Sequence, residues 1–147
     1  MILSCRSFIE LNGSEVYELL ALRSEVFVVE QNCPYQDPDY KDLHAYHCRG
    51  FIGRDLAAST RIFDLDKSYE GHLSIGRVVV SPRFRQRGLG REIMEYSIRE
   101  CYEKFGQHPI KIGAQSYLER FYKDFGFQVA SGEYLEDGIP HRLMILP

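Results

Sequence analysis

Val78-Val79-Val80-Ser81-Pro82-Arg83-Phe84-Arg85-Gln86-Arg87-Gly88-Leu89-Gly90 is the stretch on which the fold turns. Its β-branched start predicts a central strand covered on both faces, and Pro82 ends that strand. Downstream, Leu89, Ile93, Tyr96/Ser97, Cys101 and Phe105 recur at helical spacing, predicting a helix from Gly90 to Phe105 that Gly106 and Pro109 terminate. A glycine-bearing loop therefore joins a strand to a helix N-terminus. The first N–H groups of a helix are unpaired, and its dipole puts partial positive charge there. Anions bind such ends through the main chain. Gly88 and Gly90 remove Cβ atoms where a bulky diphosphate must approach. Arg85, Arg87 and Arg91 add charge-assisted donors.

Other phosphate loops fit less well. A P-loop needs GxxxxGK[ST], which is absent. A dinucleotide fingerprint needs a third small residue where Ile93 stands, and no acidic residue follows a second strand suitably. Arg/Gln-x-x-Gly-x-Gly/Ala remains, with a glycine-softened turn carrying solvated arginines as the alternative.

Working outward, Ser4 to Phe8 predicts a short first strand. Asn12 with Glu15 reads as a capping box. Val16, Leu19, Leu20, Arg23 and Phe27 then give one buried helical stripe through about Val28. The turn formers and prolines of Asn32 to Asp39 stop that helix. Leu43 to Ile52 and Leu56 to Phe63 read as a hairpin joined by Gly53-Arg54-Asp55. Leu73 to Ser81 is the Val-rich strand, in which Gly76 marks an irregularity. Ile110 to Ala114 is a short strand, and Tyr117 to Phe125 a short helix ending at Gly126. Phe127 to Tyr134 and Arg142 to Leu146 read as a final strand pair. The pattern is mixed α/β in a single domain over 1–147, with one crossover between the Val-rich strand and Ile110 to Ala114.

The chain has 147 residues, 44% hydrophobic and 27% charged, which is the composition of a folded domain. A net charge of −3 argues against a nucleic-acid surface, whereas five arginines between Arg77 and Arg91 suit one compact anionic ligand. Cys5, Cys33, Cys48 and Cys101 match neither a zinc spacing nor a disulfide framework. No signal segment or membrane span is read. A cytoplasmic protein with no membrane partner is expected. His44-x-x-His47 is not read as a metal site, since residues three apart on a strand face opposite sides.

These residues resemble the GNAT N-acetyltransferase superfamily. Val78 to Gly90 looks like its acetyl-CoA signature. Ile112-Gly113-Ala114-Gln115 and Phe121-Tyr122-Lys123-Asp124-Phe125-Gly126-Phe127 are similar to its following strand and short helix. Leu22 to Tyr35 and Glu136 to His141 resemble the ElaA-type subgroup. The resemblance implies a three-layer fold with a central mixed six- or seven-stranded sheet, splayed between strands 4 and 5 and flanked by about four helices. It implies acetyl-CoA as cosubstrate, with no metal. Main-chain contacts to pantetheine would fall on Val78 and Val80. Pyrophosphate contacts would fall on Arg85, Gln86, Arg87, Gly88, Leu89 and Gly90, plus Arg91. Gln115 stands where many members carry a cofactor-binding Asn.

Transfer to an amine sets three chemical demands. An ammonium, with a pKa of about 10.4, must lose a proton; the oxyanion needs donors; the departing thiolate takes a proton. The Val78 or Val79 N–H would serve the oxyanion, and the family's general acid maps to Tyr122. His141, Glu30, His44 and His47 are the candidate bases, with His141 in the subgroup-like block. Phe27, Glu30 and His47, then Gln31, Tyr35 and Arg61, are candidates for the acceptor side. The expected partner is a small-molecule or peptide amine, with a second copy of the chain as a candidate homodimer partner. A non-catalytic CoA-binding module of the same fold is the rival reading.

Overall fold

The computed structural model describes all residues, Met1–Pro147. Strand β1 (Ile2–Ser7) precedes helix α1 (Gly13–Arg23), which runs on as a π-helical segment, Ser24–Glu30. Strands β2 (Tyr46–Ile52), β3 (Asp55–Phe63) and β4 (Ser74–Val80) follow, then helix α2 (Leu89–Phe105). The chain closes with β5 (Ile110–Gln115), α3 (Glu119–Lys123), β6 (Gln128–Val129), β7 (Tyr134–Glu136) and β8 (Ile139–Leu146).

The capping box starts α1 as its sequence predicts. Asn12 Oδ1 accepts from Glu15 N at 2.9 Å and Glu15 Oε1 from Asn12 N at 3.2 Å, a device worth about 1 kcal/mol. Beyond Arg23 the helix widens, with Gln31 N donating to Val26 O five residues back. The expected helix through Val28 is thus an α-helix followed by a π segment, a form common at functional sites.

Sheet order is β1-β2-β3-β4, all antiparallel, and separately β5-β8-β6, with β7 also pairing β8. α2 packs on one face of the first sheet, where the main core gathers Ile93, Met94 and Cys101 with Ile62, Ile75 and Ile112. Each such aliphatic side chain contributes about 1.5–3 kcal/mol. On the opposite face Leu22, Val26 and Phe27 pack on Val79. These are the three layers of the expected α/β fold.

Strand and helix counts differ from the expectation. Eight strands replace six or seven, because Ser131-Gly132 interrupts the predicted Phe127–Tyr134 strand and leaves β6 and β7 on either side. Three α-helices replace about four, since α3 is one turn preceded by a 3₁₀ turn, Ser116–Leu118. The predicted Leu43 start of the second strand falls in a 3₁₀ turn, Lys41–His44. β4 and β5 meet at one parallel bridge, Leu73 to Ile110, where Leu73 N donates to Pro109 O and Lys111 N to Leu73 O, both at 2.9 Å. Past that bridge the strands part, so the expected splay divides the hydrogen-bonded surface into two sheets. No helix is long and apolar enough to cross a membrane.

Candidate active site

The splay opens a cavity of about 740 Å³ lined by β4, the π segment, β5, the start of α3 and the β7–β8 hairpin. A second hollow of about 470 Å³ adjoins it at the α2 N-terminus, and both share Val80, Arg85, Gly90 and Phe121. Ligand sites commonly have these dimensions.

The smaller hollow is lined by Gln86, Gly88, Leu89, Gly90 and Arg91. Gly88 heads α2 at φ +74 and no side chain caps the helix. The first helical bond runs from Glu92 N to Gly88 O, so the N–H groups of Leu89, Gly90 and Arg91 remain free for an anion. A Cβ on Gly90 would meet Val80 Cγ2 and Phe121 Cζ at 3.7 and 3.8 Å, ordinary contact. Protein packing therefore does not demand glycine there, and Gly90 lines the hollow. Gln86 lies at φ +64. These features fit a diphosphate.

The arginines divide their work. Arg91 lines the hollow and is held by Asp124 at 3.3 Å. Arg85 spans both cavities. Its Nη1 and Nη2 donate to Glu30 Oε2 and Oε1 at 2.9 and 2.7 Å, and Nε and Nη2 reach Val80 O at 3.4 Å. Arg87 turns aside, its guanidinium over the Phe84 ring at 5.5 Å, and it lines neither cavity.

Along β4 the ladder alternates. Ser81 N donates to Ala57 O at 2.7 Å. The two-residue period then commits the Val79 main chain to its partner Ser59 on β3 and turns Val78 and Val80 toward the gap. Arg85 on the Val80 carbonyl agrees with this. Of the two candidate amides, Val78 is thus the one on the open side. The predicted irregularity lies one residue past Gly76. Ser59 pairs Val79 but Arg61 pairs Gly76, leaving Arg77 and Val78 opposite Thr60 alone. That is a β-bulge, and Arg77 sits in it at φ +48.

Tyr122 lines the large cavity and is buried on Phe121 and Phe127. Its hydroxyl has no protein hydrogen-bond partner. Burial first, and Tyr117 second, push the phenol well above the ordinary tyrosine range. Across the cavity β8 carries His141 opposite Gln115 of β5 and Tyr134 of β7. Its Nδ1 donates to Ile139 O at 2.7 Å, leaving Nε2 as the nitrogen that can take a proton. Nε2 lies 3.3 Å from Glu136 Oε2, and the ring stacks on Tyr134. Gln115 Nε2 reaches Gln31 Oε1 at 3.5 Å, bridging β5 to the end of the π segment. Phe27, Glu30, Tyr35 and Arg61 also line the cavity. His47 does not. It is buried, with Nε2 at 3.0 Å from the Asp42 carbonyl, and burial foremost pulls its pKa down. His44 also lies outside.

Three contributors were not singled out from the sequence. Glu136 and Tyr69 line the acceptor end, where burial pushes Tyr69 up to about 12. The third is a buried network that fastens the 31–42 loop. Arg23 binds Asp37 at 2.8 Å and Asp42 at 2.7 Å, Arg61 binds Asp39 at 2.7 Å and Asp42 at 3.0 Å, and Arg77 binds Asp37 at 2.8 Å. Burial opposes ionisation of Asp39, but the Arg61 hydrogen bonds and charge outweigh it and hold the carboxyl well below the usual range. Burial likewise opposes Asp42, and Arg23 and then Arg61 reverse it. The signal was available, since Arg61 and Arg77 are long charged side chains set within strands.

With that geometry in view, residues 57–146 match the profile of the acetyltransferase (GNAT) domain. Protein ElaA of Escherichia coli is 43% identical over 134 residues, covering 90% of this chain and 87% of its own length. The crystal structure of Escherichia coli ElaA superposes with a TM-score of 0.92 at 38% identity over 99% of both chains. An acyl-CoA N-acyltransferase from Pseudomonas aeruginosa superposes with a TM-score of 0.93, at 38% identity over 99% of both. An aminoglycoside 6'-N-acetyltransferase complexed with coenzyme A shares the fold at a TM-score of 0.71 and 15% identity, over 99% of this chain and 96% of its own.

Proposed function

Because the chain belongs to the GNAT acetyltransferase family, we propose that it moves the acetyl group of acetyl-CoA to a primary amine by direct attack in a ternary complex. The observation that carries this reading is a pair of adjoining cavities that share Val80, Arg85, Gly90 and Phe121. The smaller holds an uncapped, glycine-led helix start, and the larger holds the free Val78–Val80 edge with the unpartnered Tyr122 hydroxyl beside it.

The diphosphate would lie on the Gln86–Arg91 main chain, with Arg85 and Arg91 as charged donors. The pantetheine amides would pair with Val78 and Val80 as an added strand does. His141 Nε2 takes a proton from the acceptor ammonium, with the Glu136 carboxylate beside it. The freed nitrogen forms a bond to the acetyl carbonyl carbon, whose oxygen gathers negative charge at the Val78 N–H. The C–S bond then breaks, Tyr122 gives its proton to the thiolate, and the second proton, shed by the nitrogen as it becomes an amide, restores the phenol. The raised pKa of Tyr122 suits this role, because the phenol stays protonated at neutral pH.

Turnover of acetyl-CoA against a panel of amines, read as thiol release, tests the activity. The cofactor end is tested by thermal shift. Acetyl-CoA at 100 times its Kd should stabilise the protein by about 2.7 kcal/mol. Gly90→Glu should abolish that shift, whereas Gly90→Ala should leave the unliganded melting temperature nearly unchanged, since a Cβ fits there. Arg87→Glu, outside the hollow, should weaken binding less and in a salt-dependent way. A full thermal shift in Gly90→Glu would overturn the placement of the diphosphate. Thermal shift without thiol release for any amine would favour a non-catalytic CoA-binding module.

A further inference from the structure

We infer that Arg77 and Asp37 are positioning residues, whose part-buried ion pair holds the β4 bulge in the geometry that turns the Val78 N–H toward the thioester oxygen. The inference rests on the acetyl transfer proposed above, and it concerns residues to which that chemistry gives no direct part.

Bulges of this kind usually place glycine at the left-handed position. Here the residue is arginine, at φ +48. An L side chain rarely adopts that conformation and persists in it only where its surroundings over-determine it. They do so here. Arg77 Nε donates to Asp37 Oδ1 at 2.8 Å and Nη2 to the Asp37 carbonyl at 3.0 Å. Asp39 Oδ2 lies 3.6 Å from Nη2, and the guanidinium sits over the Tyr35 ring at 5.7 Å. Asp37 is only 2% exposed and is itself fixed, by Arg23 Nε at 2.8 Å and the Tyr35 hydroxyl at 3.2 Å.

The position of the strained residue points to a purpose. An ion pair that served only to anchor the 31–42 loop could be made from a regular strand. The left-handed residue stands next to Val78, between the Arg61–Gly76 and Ser59–Val79 pairs, on the stretch where β4 runs free of β5. The bulge changes the alternation there, and the alternation decides which amide faces the cavity.

Glycine and alanine at position 77 separate this role from a charge effect. Arg77→Ala keeps the Cβ and loses the lock. Arg77→Gly loses the lock but enters the left-handed region freely. Asp37→Asn removes the partner charge at nearly constant volume. Each variant is assayed well below its melting temperature for kcat, for the Kd of CoA, and for the NMR shift of acetyl-CoA isotope-labelled at the acetyl carbonyl. That shift reads the hydrogen bond to the carbonyl without any acceptor present. In the wild type the bound carbonyl signal should move downfield. Arg77→Ala and Asp37→Asn should lose most of that movement, and kcat should fall by roughly 100-fold, the lower end of the scale for losing one oxyanion donor. Their Kd for CoA should stay within about threefold, because the diphosphate is held at the other end of the site. Arg77→Gly should recover most of the carbonyl movement and of kcat. If glycine is as impaired as alanine, the role belongs to the charge and the inference falls. If alanine keeps both signals, the bulge needs no lock and it falls equally. A wild-type carbonyl that does not move on binding overturns the oxyanion reading itself, and the inference with it.

Discussion

Tyr122→Phe should lower kcat about 100-fold while leaving the Kd of acetyl-CoA unchanged. Two decades correspond to about 2.7 kcal/mol, within the range for a positioned proton donor. The substitution removes one oxygen and conserves the ring that packs on Phe121 and Phe127. Since the hydroxyl has no protein partner, the melting temperature should hold or rise slightly. The pH dependence is the sharper test. Burial, with Tyr117 adding to it, raises the Tyr122 pKa and so favours the neutral phenol. Deprotonation of Tyr122 therefore cannot be the cause of a rate loss at or below its unperturbed value of about 10. The wild type should hold its plateau through about pH 9, and the variant should be slow across the whole range. An unchanged kcat and pH–rate profile in Tyr122→Phe would show that the thiolate leaves without help from this residue.

The parts of the molecule legible in the sequence were those governed by local rules. The Asn12 cap, the Val-rich strand, the glycine-led α2 start and the left-handed stop at Gly126 each follow from a few neighbouring residues. The hollow at the α2 N-terminus is such a local structure, one strand, one loop and one helix start, and most of its lining falls in the loop that the sequence marks. The far wall of the larger cavity was legible only in part. His141 and Tyr35 were candidates from the sequence, but Tyr69 and Glu136 join them only because three separate stretches meet when the β7–β8 hairpin folds over the gap. Arg87 shows the limit from the other side, because spacing marks it as a loop arginine but cannot say that its guanidinium lies over Phe84. The buried network was half visible. Arg23 fell on the predicted buried stripe of α1, an arginine that needed a partner, and its partners Asp37 and Asp42 lay in a segment read only as turn formers.

Arg23→Ala should be the most destabilising of these substitutions, by about 3–5 kcal/mol. The reason is what the substitution leaves behind. Arg23 and Asp37 side chains are 3% and 1% exposed, and Asp42 is 12%. Removing the guanidinium takes one of three positive charges from a set matched against Asp37, Asp39 and Asp42. A buried negative charge is then left without compensation. For a chain of this size the loss amounts to a fall in melting temperature of very roughly 10 °C. Arg83→Ala supplies the contrast, because its pair with Asp55 is 68% and 53% exposed, and such surface pairs contribute about 0–1 kcal/mol. The same network fixes how stability depends on acid. Asp39 and Asp42 have folded pKa values held below their unfolded ones. Their contribution is therefore complete above about pH 4 and is lost as pH falls through the folded values. Chemical denaturation of the wild type should show stability dropping steeply below about pH 4. In Asp39→Asn that drop should be shallower, from a lower starting stability. A wild-type acid dependence identical to that of Asp39→Asn would mean that this ion network does not hold the cavity wall, and a melting temperature unmoved by Arg23→Ala would say the same.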